Sequence, residues 1–176
     1  MTREQRMRVE HTAVLALGSN LGDREATIRA AVGEIAALAG VTVTGASGLV
    51  ETAAVKPEGV DTEAPAYLNA VITVRTSLDP HVLLRAVNDI ERKHGRVRET
   101  RWGDRTLDID IVEFGCVMIA SEDLTVPHPR AAGRAFVLAP WLQVNPDATL
   151  PGLGRVDELL AATGETPLDY PAEPLL

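Results

Sequence analysis

Apolar and polar positions along this chain switch between two periods, and the switches mark its elements. Thr12-Ala-Val-Leu-Ala-Leu17 is an unbroken apolar run halted by Gly18-Ser-Asn-Leu-Gly22, which predicts a buried strand and then a turn. From Asp23 the spacing becomes helical. Ile28, Val32, Ile35 and Leu38 share one face, so a helix capped by Asp23 is expected to about Ala39, with Gly40 closing it. Val41-Thr-Val-Thr44 begins a second strand that reaches about Val50. The stretch 53–66, with Pro57, Gly59 and Pro65, reads as a long loop of the kind that shapes a site. Tyr67 to Thr76 predicts a third strand. Ser77 or Asp79 then caps a helix with Pro80 in its first turn, an inward stripe of Leu83, Leu84, Val87 and Ile90, and Gly95 at its end. Leu107 to Phe114 predicts a fourth strand, turned at Gly115 into a hairpin with Cys116–Ala120. Helices are expected over about 131–143 and 156–162, with a mobile lead-in over 1–11 and an irregular tail over 167–176.

Strand–helix–strand–strand–helix–strand is the split βαβ order. It predicts an α+β, ferredoxin-like fold: a mainly antiparallel sheet flanked by helices on both faces, a three-layer α/β/α sandwich. No internal repeat breaks the 176 residues, so a single domain over 1–176 is expected. Fold alone does not assign function, because this architecture hosts many.

Charge narrows the field. The net charge of −8 argues against a general binder of nucleic acid or of anionic membranes. Against it, residues 92–105 hold six Lys/Arg (Arg92, Lys93, Arg96, Arg98, Arg101, Arg105) and two acids (Glu99, Asp104), a local charge of +4 where a small anion could use it. Cys116 is the only cysteine, which excludes an intrachain disulfide and reads as a small strand hydrophobe. No apolar run approaches the ~18–20 residues of a membrane span. The basic N-terminus has no apolar segment behind it. A cytoplasmic protein with no membrane or nucleic-acid partner is expected, a monomer by default.

The chemistry concentrates where the basic loop meets the fourth strand. In Leu107-Asp-Ile-Asp-Ile111 the period of two puts Leu107, Ile109 and Ile111 on one face and Asp108 and Asp110 on the other. Residues two apart on a strand lie about 6.5–7 Å apart at Cα, so both carboxylates can converge on hard cations such as Mg²⁺, which prefer oxygen ligands and share substrate phosphates. Guanidinium forks beside them match phosphate oxygens. The pattern predicts phosphoryl-transfer chemistry, with Arg96 and Arg105 flanking the loop as candidates for charge stabilisation. Glu91 could add electrostatic or hydrogen-bonding support, Trp102 could pack near a nucleotide, and His128 sits in a proline-framed loop position suited to phosphate. Gly18–Asp23 lacks the Gly-Lys-Ser/Thr ending of a phosphate loop, and reads as strand turn plus helix cap. Two other readings use the same residues. A metal-dependent phosphohydrolase could employ the aspartates, and an RNA-binding ferredoxin-like module could employ the basic loop.

Five segments carry a resemblance: Gly18-Ser-Asn-Leu-Gly22, Tyr67-Leu-Asn-Ala70, Gly95-Arg-Val-Arg98, the run from Arg101-Trp-Gly through Asp108-Ile-Asp-Ile111, and Val126-Pro-His-Pro-Arg130. In this order, over roughly 12–150, the chain resembles the 6-hydroxymethyl-7,8-dihydropterin pyrophosphokinases of folate biosynthesis. That resemblance implies transfer of the β,γ-pyrophosphate of ATP to the pterin hydroxymethyl oxygen, release of AMP, and two Mg²⁺ ions. Asp108 and Asp110 would be the metal ligands, and Arg96 and Arg105 the catalytic-loop arginines. Glu91, Arg98, Arg101, Trp102, Thr125, His128 and Arg134 fall at ATP-contacting positions. Tyr67 and Phe136 resemble the rings that sandwich the pterin, with Thr52 and Asn69 beside them, Asn69 reading its polar edge. Two stretches depart from the family pattern. Ala53-Ala-Val-Lys56 stands where members often have prolines followed by Leu-Gly, and Glu99 stands where some carry lysine.

Overall fold

The computed structural model describes residues 8–56, 58–95 and 106–176, without the side chains of Val55 and Lys56. The first half follows the expected order: β1 (His11–Ser19), α1 (Arg24–Ala36), β2 (Val41–Ala46), β3 (Leu49–Thr52), a small hairpin of β4 (Ala54–Lys56) with β5 (Gly59–Asp61), β6 (Tyr67–Thr76) and α2 (Pro80–Lys93). The second half comprises β7 (Asp108–Phe114), β8 (Ile119–Ala120), β9 (Thr125–Val126), a 3-10 turn (Ala131–Gly133), α3 (Ala135–Val144), β10 (Thr149–Leu150), β11 (Gly154–Arg155), α4 (Val156–Thr163) and β12 (Leu168–Tyr170). The main sheet runs β12-β3-β6-β1-β7 with β2 also on β6, and all its pairs are antiparallel. This is the ferredoxin-like arrangement, thickened to three layers.

Both faces of the sheet are covered, which is why β1 reads as continuously apolar and does not alternate. Leu15, Leu17, Ile72, Ile109 and Ile111 pack against Ile28, Val32 and Ile35 of α1 and Leu83, Val87 and Ile90 of α2. Val14, Ala16, Val71 and Val112 pack the other way, onto Val137, Leu138 and Trp141 of α3 and Val156 of α4. Each such aliphatic side chain contributes about 1.5–3 kcal/mol by leaving water. Asp23 caps α1 by accepting the Ala26 N–H at 3.1 Å, and Asp79 caps α2 by accepting that of His81 at 3.0 Å. Among the described residues no helix is long and apolar enough to cross a membrane.

The chain departs from the sequence expectations in five places. The stretch 53–66, expected as a loop, contains the hairpin of β4 with β5. The predicted strand 41–50 is two strands. Ser47 interrupts it, its N–H donating to the Val71 carbonyl while its hydroxyl accepts the Val71 N–H, both at 2.9 Å. The predicted hairpin of 116–120 with β7 does not form. Cys116 has φ 57° and is exposed, so it is neither in a strand nor a core hydrophobe. Glu113 accepts its N–H, and Ile119 and Ala120 pair with Val126 and Thr125 instead. The helix expected over 131–143 is a 3-10 turn followed by α3. The tail is not irregular throughout, since Leu168–Tyr170 adds a strand to β3 at the sheet's edge.

Candidate active site

β7 carries Asp108 opposite Gly18 and Asp110 opposite Ala16 of β1. Ile109 and Ile111 are buried towards α1 and α2, and both aspartates lie on the α3 face, partly exposed. Among the described residues β7 ends the sheet, so part of its backbone has no strand to bond there. One of those groups is the Ile109 N–H, between the two aspartates. It donates to Oε1 of Glu91 at 2.9 Å. Glu91 is 1% exposed, one helical turn beyond Val87 on the inward stripe of α2. Its carboxylate sits in the α2 layer, where it fixes the backbone that presents the aspartates, the hydrogen-bonding support expected of it from the sequence.

A bulge shapes the same strand. Val14 pairs with Glu113 and Leu15 with Ile111, so Val112 is the extra residue. Its carbonyl accepts the His128 N–H at 2.8 Å, anchoring the Val126–Arg130 segment beside the aspartates. His128 Nε2 then lies 3.9 Å from Asp110 Oδ2, and an Arg134 nitrogen lies 3.8 Å from the same oxygen. The His128 ring is held down to about 4 by burial, with Arg134 adding to the effect and Asp108 opposing it. It is therefore neutral at pH 7, and its approach to Asp110 is not an ion pair. The Arg130 N–H points at Nδ1 at 3.2 Å, which makes Nδ1 the acceptor and leaves the proton on Nε2, facing Asp110. Arg134 also lies over the ring of Phe136, 5.5 Å from its centroid.

Across β1 the site changes character. Asn69 of β6 lies opposite Gly18, and Tyr67 lies opposite Thr52 of β3. Asn69, 5% exposed, donates through Nδ2 to the Thr52 hydroxyl at 3.0 Å. Tyr67, Asn69 and Thr52 share the α3 face, where Phe136 packs against the second core cluster. Gly18, absent from the sequence-based site candidates, lies between Asn69 and Asp108. A Cβ there would stand 3.0 Å from Asn69 Oδ1 and 3.7 Å from the Tyr67 ring. The glycine keeps the floor bare between Asn69 and Asp108. The available signal was a glycine inside a strand pattern, which marks a close backbone approach.

Of the remaining candidates, Thr125 is exposed on β9. Arg96, Arg98, Arg101, Trp102 and Arg105 lie outside the described residues. Gly95 and Thr106 bracket them, the latter two residues before Asp108. Among the described residues no group of three or more His, Cys, Asp or Glu side chains could hold a metal ion. Two carboxylates on one face fit a hard cation that completes its shell with water and phosphate oxygens.

A family model described as 7,8-dihydro-6-hydroxymethylpterin-pyrophosphokinase matches residues 14–146. The 2-amino-4-hydroxy-6-hydroxymethyldihydropteridine pyrophosphokinase of Bacillus subtilis is 45% identical over 136 residues, covering 77% of this chain and 79% of that protein. The enzyme of the same name from Mycobacterium leprae is 42% identical over 163 residues, covering 84% and 81%. Among solved structures, a Plasmodium falciparum HPPK-DHPS triple mutant superposes with a TM-score of 0.69 at 16% identity. It matches 90% of this chain, which spans 45% of that longer one, and supports the fold.

Proposed function

The chain belongs to the 7,8-dihydro-6-hydroxymethylpterin-pyrophosphokinase family, and from that premise we infer how its residues divide the transfer of pyrophosphate from ATP to hydroxymethyldihydropterin, a step of folate biosynthesis. The chain acts as one catalytic unit with two substrate halves on the α3 face of the sheet. Asp108 and Asp110 hold two Mg²⁺ ions, which when bound neutralise the triphosphate. His128, neutral with its proton on Nε2, donates a hydrogen bond to a phosphate oxygen, and Arg134 supplies a fixed positive charge. Arg98, Arg101, Trp102 and Thr125 complete the ATP contacts. Glu91 serves this half from below, through the Ile109 N–H.

The pterin lies between the rings of Tyr67 and Phe136, its polar edge read by Asn69, which Thr52 orients. Its hydroxymethyl oxygen then points across Gly18 towards the β-phosphorus. Arg96 and Arg105 stabilise charge on the transferring group, and water is kept out so that ATP is not hydrolysed. No side chain is assigned as a general base. Positioning and charge stabilisation carry the rate enhancement.

One observation carries this reading: the register that sets Asp108, Gly18 and Asn69 in a row across three adjacent strands. Incubation with ATP, Mg²⁺ and 6-hydroxymethyl-7,8-dihydropterin should yield AMP and a pyrophosphorylated pterin. ADP as the nucleotide product, or phosphate release without pterin, would overturn it.

A further inference from the structure

Building on the assignment of the pterin half above, we propose that Arg24 is a positioning residue for that half, and that the C-terminal segment 168–176 straps it in place. Arg24 opens α1, on the face of the sheet away from the substrates. One of its terminal nitrogens donates to Glu51 Oε2 at 2.7 Å and to the Ala66 carbonyl at 2.8 Å. Glu51 directly precedes Thr52, and Ala66 directly precedes Tyr67. A single guanidinium thus joins the end of β3 to the residue just before β6, beside the pair we assign to orienting Asn69 and carrying the pterin ring.

That end of the ladder needs an external tie. Thr52 and Tyr67 are the terminal pair between β3 and β6, and beyond them the chain departs into the loop 53–66. Terminal pairs fray unless something outside the ladder holds them. The Arg24–Glu51 pair is partly exposed, with side chains 23% and 35% accessible, so its charge alone is worth little. Its geometry is what restrains the strands, and the tail fixes that geometry. Tyr170 of β12 places its ring 5.7 Å from the guanidinium carbon. Leu168 of the same strand pairs with Glu51. Further along α1, Arg29 donates to the carbonyls of Glu173 and Pro174 and is braced by Glu25 at 2.9 Å. Tyr170 and Leu175 pack against the first core cluster. The strap lies past residue 146, where the family match ends.

The test compares Arg24→Ala, Tyr170→Ala and Tyr170→Phe for pterin KM, ATP KM and kcat, with pterin binding also measured by calorimetry. Both alanine variants should raise the pterin KM and Kd about five- to tenfold, the size of one ordinary hydrogen bond. ATP KM and kcat should stay within about twofold, and Tyr170→Phe, which keeps the ring, should match wild type. A drop in melting temperature with unchanged pterin affinity overturns the proposal, as does a uniform loss across all three constants. Wild-type protein that binds no pterin overturns the assignment of the pterin half together with the strap. Wild-type binding matched by both alanine variants overturns the strap alone.

Discussion

The two halves we assign to the site lie on one face of one sheet, yet their backbones are held differently. The half we assign to the pterin is built on β6, which has neighbours on both sides. Its residues are uncharged, and sheet register brings Asn69, Thr52 and Tyr67 together. The charged half is built on β7, which ends the sheet. There the backbone is held by a buried carboxylate from one layer, Glu91, and it uses a bulge to recruit a segment from elsewhere, Val126–Arg130. A central strand takes its geometry from the ladder along its length and needs the Arg24 tie only where the Thr52–Tyr67 pair ends it. An edge strand that must carry two like charges needs supports from outside it.

This contrast can be broken from the charged side first. Asp110→Asn should keep the fold, since the residue is partly exposed, but lower Mg²⁺-dependent turnover by about 10³-fold or more, in the range of losing an electrostatic element of a phosphoryl-transfer site. An unchanged magnesium titration would remove it from the ligand set. Arg105→Ala should cost about 10²-fold in kcat with little effect on pterin affinity; steady-state kinetics with either substrate varied would check both. On the neutral side, Gly18→Ala should raise the pterin KM about tenfold by pressing a methyl against Asn69 Oδ1, while ATP affinity changes little. A methyl tolerated without effect would mean that the bare floor is not used.

The smallest effect is on stability. His128 is depressed in the folded chain from 6.5 to about 4, so between those values the unfolded chain binds more protons than the folded one. Its contribution is complete above pH 6.5 and is lost as pH falls towards 4. His128→Gln should therefore flatten the fall of melting temperature over that window; a parallel pair of pH–stability curves would contradict the assignment.

How much of this was legible in the sequence depends on the range of the interaction. In Leu107–Ile111 the strand period and the charges are local, and the side the aspartates take follows from five residues. The capping aspartates, Asp23 and Asp79, are equally local. The break at Ser47 was hidden because it depends on Val71, the bulge at Val112 because it is visible only against β1, and β12 because its partner is over a hundred residues away. Glu91 was legible only in part. Its place on the stripe with Val87 and a supporting role were readable, but not that the Ile109 N–H would be the group to satisfy its buried carboxylate. Cys116 looked like a strand residue because its neighbours Val117 and Met118 are apolar, though both are exposed.

Gly18 has a consequence for ligands that the enzyme itself does not use. A compound joining a flat heterocycle to a polyanionic tail by a short tether would run its tether over the one position in the row that carries no side chain. Bulk there would have to be accommodated against Asn69 on one flank or the aspartate pair on the other, so a slim, unbranched connection is what this surface admits.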